Sequence, residues 1–168
     1  YTIQGISHLG ELNVESRQFR KITTPYMAIS DLRVTPRQTY FIGASPEEPA
    51  AIVAFNPRRH TTQRLVVSGK IDLDPGYLSK PETIEFPTEG GQTAFGFFYP
   101  PTNPDFRGPE GEKPPLIVMS HGGPTATSAP VFNLTIQYWT SRGFGVLDVN
   151  YGGSTGYGRA YRERLKGN

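Results

Sequence analysis

The first 68 residues carry their apolar side chains in short bursts. "GELNVE", "FRKIT", "MAISDLRV", "QTYFIGA", "AAIVAFN" and "TTQRLVV" are runs of roughly four to eight residues in which Val, Ile, Phe, Tyr and Thr recur, the pattern of half-buried strands. "TTP", "TPR", "SPEEP" and "NPRRH" separate the later runs, and Pro, Asn and Ser at those places supply turn chemistry. Strands that recur about every ten residues with no helix between them predict a sandwich, a barrel or propeller blades. In that reading the four runs from Met27 to Val67 form one four-stranded unit, and the two before them end a preceding one. No sharp internal repeat selects among the three architectures.

The pattern changes after "KIDLDPGYLSKP" (70–81), where charge, Pro and Gly mix as they do in a crossing between two parts of a chain. "ETIEF" and "TAFGFFY" flank "PTEGGQ", which predicts a hairpin over 82–99 turning at Gly90 and Gly91. A loop rich in Pro, Gly and charge fills 100–115. "LIVMS" follows, apolar on both faces as a strand covered on both sides of a parallel sheet should be. Val131, Phe132, Thr135, Tyr138 and Trp139 fall at helical spacing within 131–141, Tyr138 and Trp139 reading as helix core, and Gly143 supplies the stop. "FGVLDVNY" then gives a second buried strand. Strand, helix and strand over about thirty residues make a βαβ unit, whose crossover is expected to be right-handed. "RAYRERL" near the end reads as a solvated helix face with one apolar stripe.

Composition narrows this picture without redirecting it. The chain has 168 residues, 36% hydrophobic and 19% charged, with a formal net charge of +2. Lys and Arg are scattered, so neither nucleic acid nor a membrane surface is an expected partner. Nineteen Gly and 16 Pro suit many tight turns and not a helical bundle. There is no Cys, which removes disulfides, zinc thiolate sites and a Cys nucleophile within these residues. The apolar runs "LIVM" and "FGFFY" are too short to span a bilayer, and no signal peptide is visible, so the expected location is cytoplasmic. The chain opens on Tyr1 and closes within a charged helical stretch, which leads us to expect a piece of a longer protein.

The chemistry concentrates at two glycine turns, each directly after a strand of the βαβ unit. They are "HGGP" at 121–124 and "NYGGSTGYG" at 150–158. Ligands of α/β sheets gather beyond the carboxyl ends of the strands. Glycine lets the backbone approach a ligand and adopt positive φ. Free N–H groups there can meet the oxyanion of acyl transfer, and α/β-hydrolases place one such donor after this strand. The three His are far apart, with no H-x-x-x-H spacing, so no metal site is expected. His8 and His60 read as exposed turn residues, and Asp148 as a strand residue that caps or pairs with a neighbour.

"HGGPT", "NYGGSTGYG" and the preceding "ETIEFPTEGGQTAFGFFYPP" resemble the prolyl oligopeptidase family of serine peptidases, in particular its acylaminoacyl peptidase and dipeptidyl peptidase branch. The resemblance implies β-propeller blades over 1–69, a linker over 70–81, and the opening part of an α/β-hydrolase domain, with a mostly parallel sheet, over 82–168. It implies that the Gly123 N–H is half of the oxyanion hole, that Gly122 lets the turn approach the substrate, and that His121 and Pro124 shape the turn without His121 being the base. Tyr151 lines the site in that reading. Short peptides would be the substrates, no cofactor would be needed, and the parent protein would be compatible with a homo-oligomer. Gly152 stands where the family commonly has Arg, which removes that side chain's contacts. No G-x-S-x-G elbow is present, so Ser, Asp and His are expected beyond Asn168 and the chain by itself is expected to be inactive.

Three other readings compete. Phosphate binding at the glycine loops fails on pattern: no Gly there precedes Lys and then Ser or Thr, and Tyr161 occupies the third glycine position of a G-x-G-x-x-G begun at Gly156. A catalytically silent propeller platform and an α/β-hydrolase esterase remain as alternatives.

Overall fold

A computed structural model describes residues 1–167. Strand β1 (Thr2–Ile3) pairs with β2 (Ile6–Ser7) through a two-residue turn, with Gln4 and Gly5 both at positive φ. Strands β3 (Leu9–Leu12) and β4 (Phe19–Ile22) form a second hairpin. Four longer strands follow as an antiparallel meander in spatial order β5-β6-β7-β8: β5 (Ala28–Val34), β6 (Thr39–Ala44), β7 (Ala51–Asn56) and β8 (Thr61–Val67). Every strand expected in this region is present. One face of the meander buries Phe41, Val53 and Phe55 against Leu9, Ile22 and Tyr26, and this is the first of two cores. On the other face Ile42, Ile52 and Val66 stand in one cross-strand row, each at least 39% exposed.

The second sheet has the order β9-β10-β12-β11. Strands β9 (Glu82–Pro87) and β10 (Thr93–Tyr99) form the expected hairpin, turning through Gly90 and Gly91 at φ 66° and 70°. Strand β11 (Leu116–Ser120) lies at the edge, parallel to β12 (Gly145–Asn150), which in turn runs antiparallel to β10. Only one of the three ladders is therefore parallel among the described residues, which corrects the expectation of a mostly parallel sheet. Both sheets remain open.

Helix α1 (Leu134–Thr140) connects β11 to β12. It begins three residues later than the spacing predicts, because the Asn133 side chain accepts from the N–H groups of Thr135 and Ile136 and so caps the helix there. Its buried residues are Ile136, Gln137 and Thr140. Tyr138, expected in the core, is 50% exposed with the Arg142 guanidinium over its ring. Gly143 ends the helical turn at φ 89°. Phe97, Tyr99, Val146 and Ile136 form the second core, joined by Ile117, Met119, Trp139 and, from the first hairpin, Ile6. The expectation that β11 is covered on both faces is overturned. Ile117 and Met119 face the core, whereas Leu116 and Val118 are 53% and 62% exposed, because no described residue packs on that side.

The crossing over 70–81 is anchored at its far end. Ser79 is fully buried; its N–H donates to Oε1 of Gln137 at 2.7 Å, and Nε2 of Gln137 donates back to its carbonyl at 3.1 Å. Lys80 pairs with Glu47, and the Phe132 N–H donates to the Ser45 carbonyl.

Candidate active site

The parallel pairing of β11 with β12 sets Met119 opposite Asp148 and Ser120 opposite Val149, so the two strands end side by side and both glycine turns leave from the same edge. The first turn is exposed at Gly122, Gly123 and Pro124. Gly123 sits at φ 75°, a conformation that costs a residue with a Cβ about 1–2 kcal/mol. The Tyr151 hydroxyl donates to the Gly123 carbonyl at 2.9 Å. The N–H groups of Gly122 and Gly123 donate to no other described residue. Space beside Gly122 is open, with nothing within 4 Å of where a Cβ would stand.

His121 is half-buried behind the turn. Its ring stacks on Tyr151 with centroids 4.5 Å apart, and Nε2 lies 2.7 Å from Oγ of Ser154. Nδ1 is buried without a partner among the described residues. A Ser and a His at this distance have the geometry of a nucleophile and its base, but Ser154 is 0% exposed and cannot meet a substrate. The pair instead ties the two turns together. Gly153 brings them into close approach: at φ 120°, a Cβ there would stand 2.2 Å from Cδ1 of Leu165 and 3.1 Å from the Pro124 carbonyl oxygen.

Beneath the turns lies a polar layer of which the sequence showed only Asp148, expected to pair with a neighbour. Asn150 is fully buried and bonds the backbone of Ser128, whose hydroxyl donates to Asp148 at 2.7 Å. Burial holds the Asp148 carboxyl above the usual carboxylate range, against the opposing effects of the Ser128 hydrogen bond and of His121. The Tyr157 hydroxyl, pushed up to about 12 chiefly by burial, accepts from Nδ2 of Asn150 at 3.0 Å. The Tyr161 hydroxyl, from α2 (Arg159–Arg162), donates to the Asn150 carbonyl at 2.6 Å. The available signal was a polar residue on an otherwise apolar strand, twice, in "VLDVN".

His121, Gly122, Gly123, Pro124 and Tyr151 come together at one edge of the sheet. His60 is exposed in a turn, as expected. His8 is half-buried against the Tyr1 ring, which corrects its reading as exposed. Gly152 leaves room for Arg164, whose Cδ lies 3.1 Å from the position of a Cβ and whose guanidinium reaches the Thr93 carbonyl at 2.7 Å. No group of three or more His, Cys, Asp or Glu side chains suited to a metal occurs among the described residues.

Comparison with known proteins gives this geometry a context. Residues 130–168 match the sequence profile described as the prolyl oligopeptidase family. A puromycin-hydrolysing peptidase of Mycobacterium tuberculosis of known structure is 39% identical, with a TM-score of 0.91 over 96% of this chain and 25% of that one. The acylamino-acid-releasing enzyme of Arabidopsis thaliana is 42% identical over 57 residues, 34% of this chain and 8% of the enzyme. Dipeptidyl aminopeptidase BIII of Pseudoxanthomonas mexicana is 25% identical over 131 residues, 77% of this chain and 19% of that protein. The chain thus spans a quarter or less of the length of these relatives. Fold and sequence together are similar to those of peptidases. The family that the chain resembles is the prolyl oligopeptidase family.

Proposed function

We propose that this chain is the junction of a β-propeller and an α/β-hydrolase domain in a serine peptidase acting on short peptides. Residues 1–69 are propeller blades in this reading, 70–81 the crossing and 82–168 the start of the hydrolase domain. The meander β5-β6-β7-β8 has the form of one blade. The order β9-β10-β12-β11, with the glycine turns beyond the carboxyl ends of its parallel pair, suits the opening of a hydrolase sheet.

One observation carries the catalytic part. At the first glycine turn two exposed glycines carry backbone N–H groups that donate to no partner among the described residues, while the Gly123 carbonyl is held by Tyr151. Donors that are fixed in place and unused in the resting state stabilise charge that develops in the transition state, each contributing about 3–4 kcal/mol. In the proposed reaction a Ser outside these residues attacks the peptide carbonyl and a His takes its proton. The carbonyl oxygen becomes an oxyanion, received by the Gly123 N–H together with the N–H that follows the Ser. Collapse of the intermediate expels the amine, which takes the proton from His, and leaves an acyl-enzyme that water then opens. Gly122 keeps the approach clear. His121, Pro124 and Tyr151 hold the turn in shape.

The test is fluorophosphonate labelling of the whole gene product, read by mass spectrometry, with peptide and simple ester substrates assayed beside it. One labelled Ser outside residues 1–168, with hydrolysis of acylated or short peptides, is the expected result. A folded protein that takes no label would overturn the reading in favour of a silent platform. Hydrolysis of esters alone would favour an esterase.

A further inference from the structure

We infer that Asn150 is a positioning residue for this reaction: its side-chain amide clamps the stretch that follows the first glycine turn, and so fixes the direction of the Gly122 and Gly123 N–H groups. The inference rests on the hydrolase reading above. Asn150 is the last residue of β12 and 0% exposed. A side-chain amide offers two acceptor sites and two donors, and here all four are used. Oδ1 accepts from the Ser128 N–H at 2.8 Å and from the Thr127 hydroxyl at 3.0 Å. Nδ2 donates to the Ser128 carbonyl at 3.1 Å and to the Tyr157 hydroxyl at 3.0 Å. The Ser128 N–H requires an acceptor and its carbonyl a donor, so the orientation of the amide is forced.

A buried Asn with full satisfaction is commonly a matter of core stability alone. The direction of these bonds says more. Three of the four end on Thr127 and Ser128, just past the turn, and the fourth ends on the second glycine loop. Thr155 of that loop adds a bond from its N–H to the Ala126 carbonyl at 3.0 Å. The exit of the first turn is thus held from β12 and from the neighbouring loop, while its entrance is held by the end of β11. Oxyanion donors act because they need no reorganisation when charge develops. Loosening the exit lets the N–H groups turn away, which raises the barrier to the chemical step and leaves substrate binding in place.

The test compares wild type, Asn150→Asp and Tyr157→Phe in the whole gene product, with an acyl-amino-acid p-nitroanilide as substrate and amide hydrogen exchange as a second readout. Asp keeps the oxygen that Thr127 and Ser128 donate to but sets an acceptor against the Ser128 carbonyl. For Asn150→Asp we expect kcat to fall about thirtyfold to a hundredfold with KM within about threefold, since a misdirected oxyanion donor costs on this scale. Exchange over 121–130 should accelerate while β9 and β10 keep their protection. Tyr157→Phe removes one of the four bonds and should lower kcat about threefold to tenfold with the fold intact. Wild-type kcat in folded Asn150→Asp, a loss confined to KM, or faster exchange everywhere in step with a lower Tm would overturn the inference. Should Asn150→Asp fail to fold, unchanged kcat and exchange in Tyr157→Phe would overturn it equally. Wild-type protein that neither labels nor hydrolyses would instead overturn the hydrolase reading, and that control separates the two failures.

Discussion

At the scale of single residues, Gly122 and Gly123 separate two uses of glycine. Gly123 is there for conformation, since its φ of 75° is strained for any side chain. Gly122 has no such need, and a methyl group there would meet nothing. Gly122→Ala should therefore leave Tm within about 1 °C while lowering kcat/KM about tenfold or more, because the methyl enters the space kept for substrate and small misplacements are costly. Steady-state kinetics beside thermal unfolding checks it, and unchanged kcat/KM would remove Gly122 from the site. Asp148 gives a pH prediction. Its folded pKa is raised by burial, so the folded state binds the proton more readily and stability falls as the pH rises from the ordinary carboxylate value through the folded one. Asp148→Asn retains an oxygen for the Ser128 hydroxyl and discards the charge. It should raise Tm by about 2 °C at pH 8, partial solvent screening keeping the effect small, and by nothing at pH 4. His121, Tyr99 and Tyr157 are the groups that face Asp148 electrostatically. A variant less stable than wild type at pH 8 would show that the Ser128 hydrogen bond to the carboxylate outweighs burial.

At the scale of elements, legibility followed the locality of the cause. The strands β3 to β8 and the hairpin β9–β10 were readable because alternation and turn residues specify them within a few positions. Helix α1 was found but misplaced, since the cap at Asn133 competes with apolar spacing that continues back through Val131 and Phe132. The apolar sequence of β11 described an environment, and that environment is only half present among the described residues. The glycine turns were readable as a candidate site because they follow strands of a βαβ unit. The layer beneath them was not, because Asn150, Ser128 and Tyr157 meet only after β12 is laid beside β11. A polar residue in a strand announces that it has a partner without saying which.

At the scale of the whole molecule, two apolar surfaces lie open: the row Ile42, Ile52 and Val66 on the meander, and Leu116 with Val118 on β11. In the propeller and hydrolase reading other parts of the protein cover both. Ile52→Lys with Val118→Lys should then have opposite effects in two settings. In the 168-residue chain alone the pair should reduce self-association seen by light scattering, because contiguous apolar patches drive it. In the whole gene product the pair should lower stability by about 1–2 kcal/mol per site, the cost of leaving such side chains without apolar cover. Improved or unchanged stability of the whole protein would show that these faces are solvent-facing there as well. The grip of Gln137 on Ser79 bears on how the two halves move. Because that amide pairs with both backbone groups of Ser79 in a buried place, the chain from Ser79 onward travels with α1 as one rigid piece. Any swinging of the meander against the second sheet would therefore pivot upstream of Ser79 and would have to break both the Lys80–Glu47 ion pair and the bond from the Phe132 N–H to the Ser45 carbonyl. Of the two ends of the crossing, the one at Ser79 is the end fixed by buried hydrogen bonds.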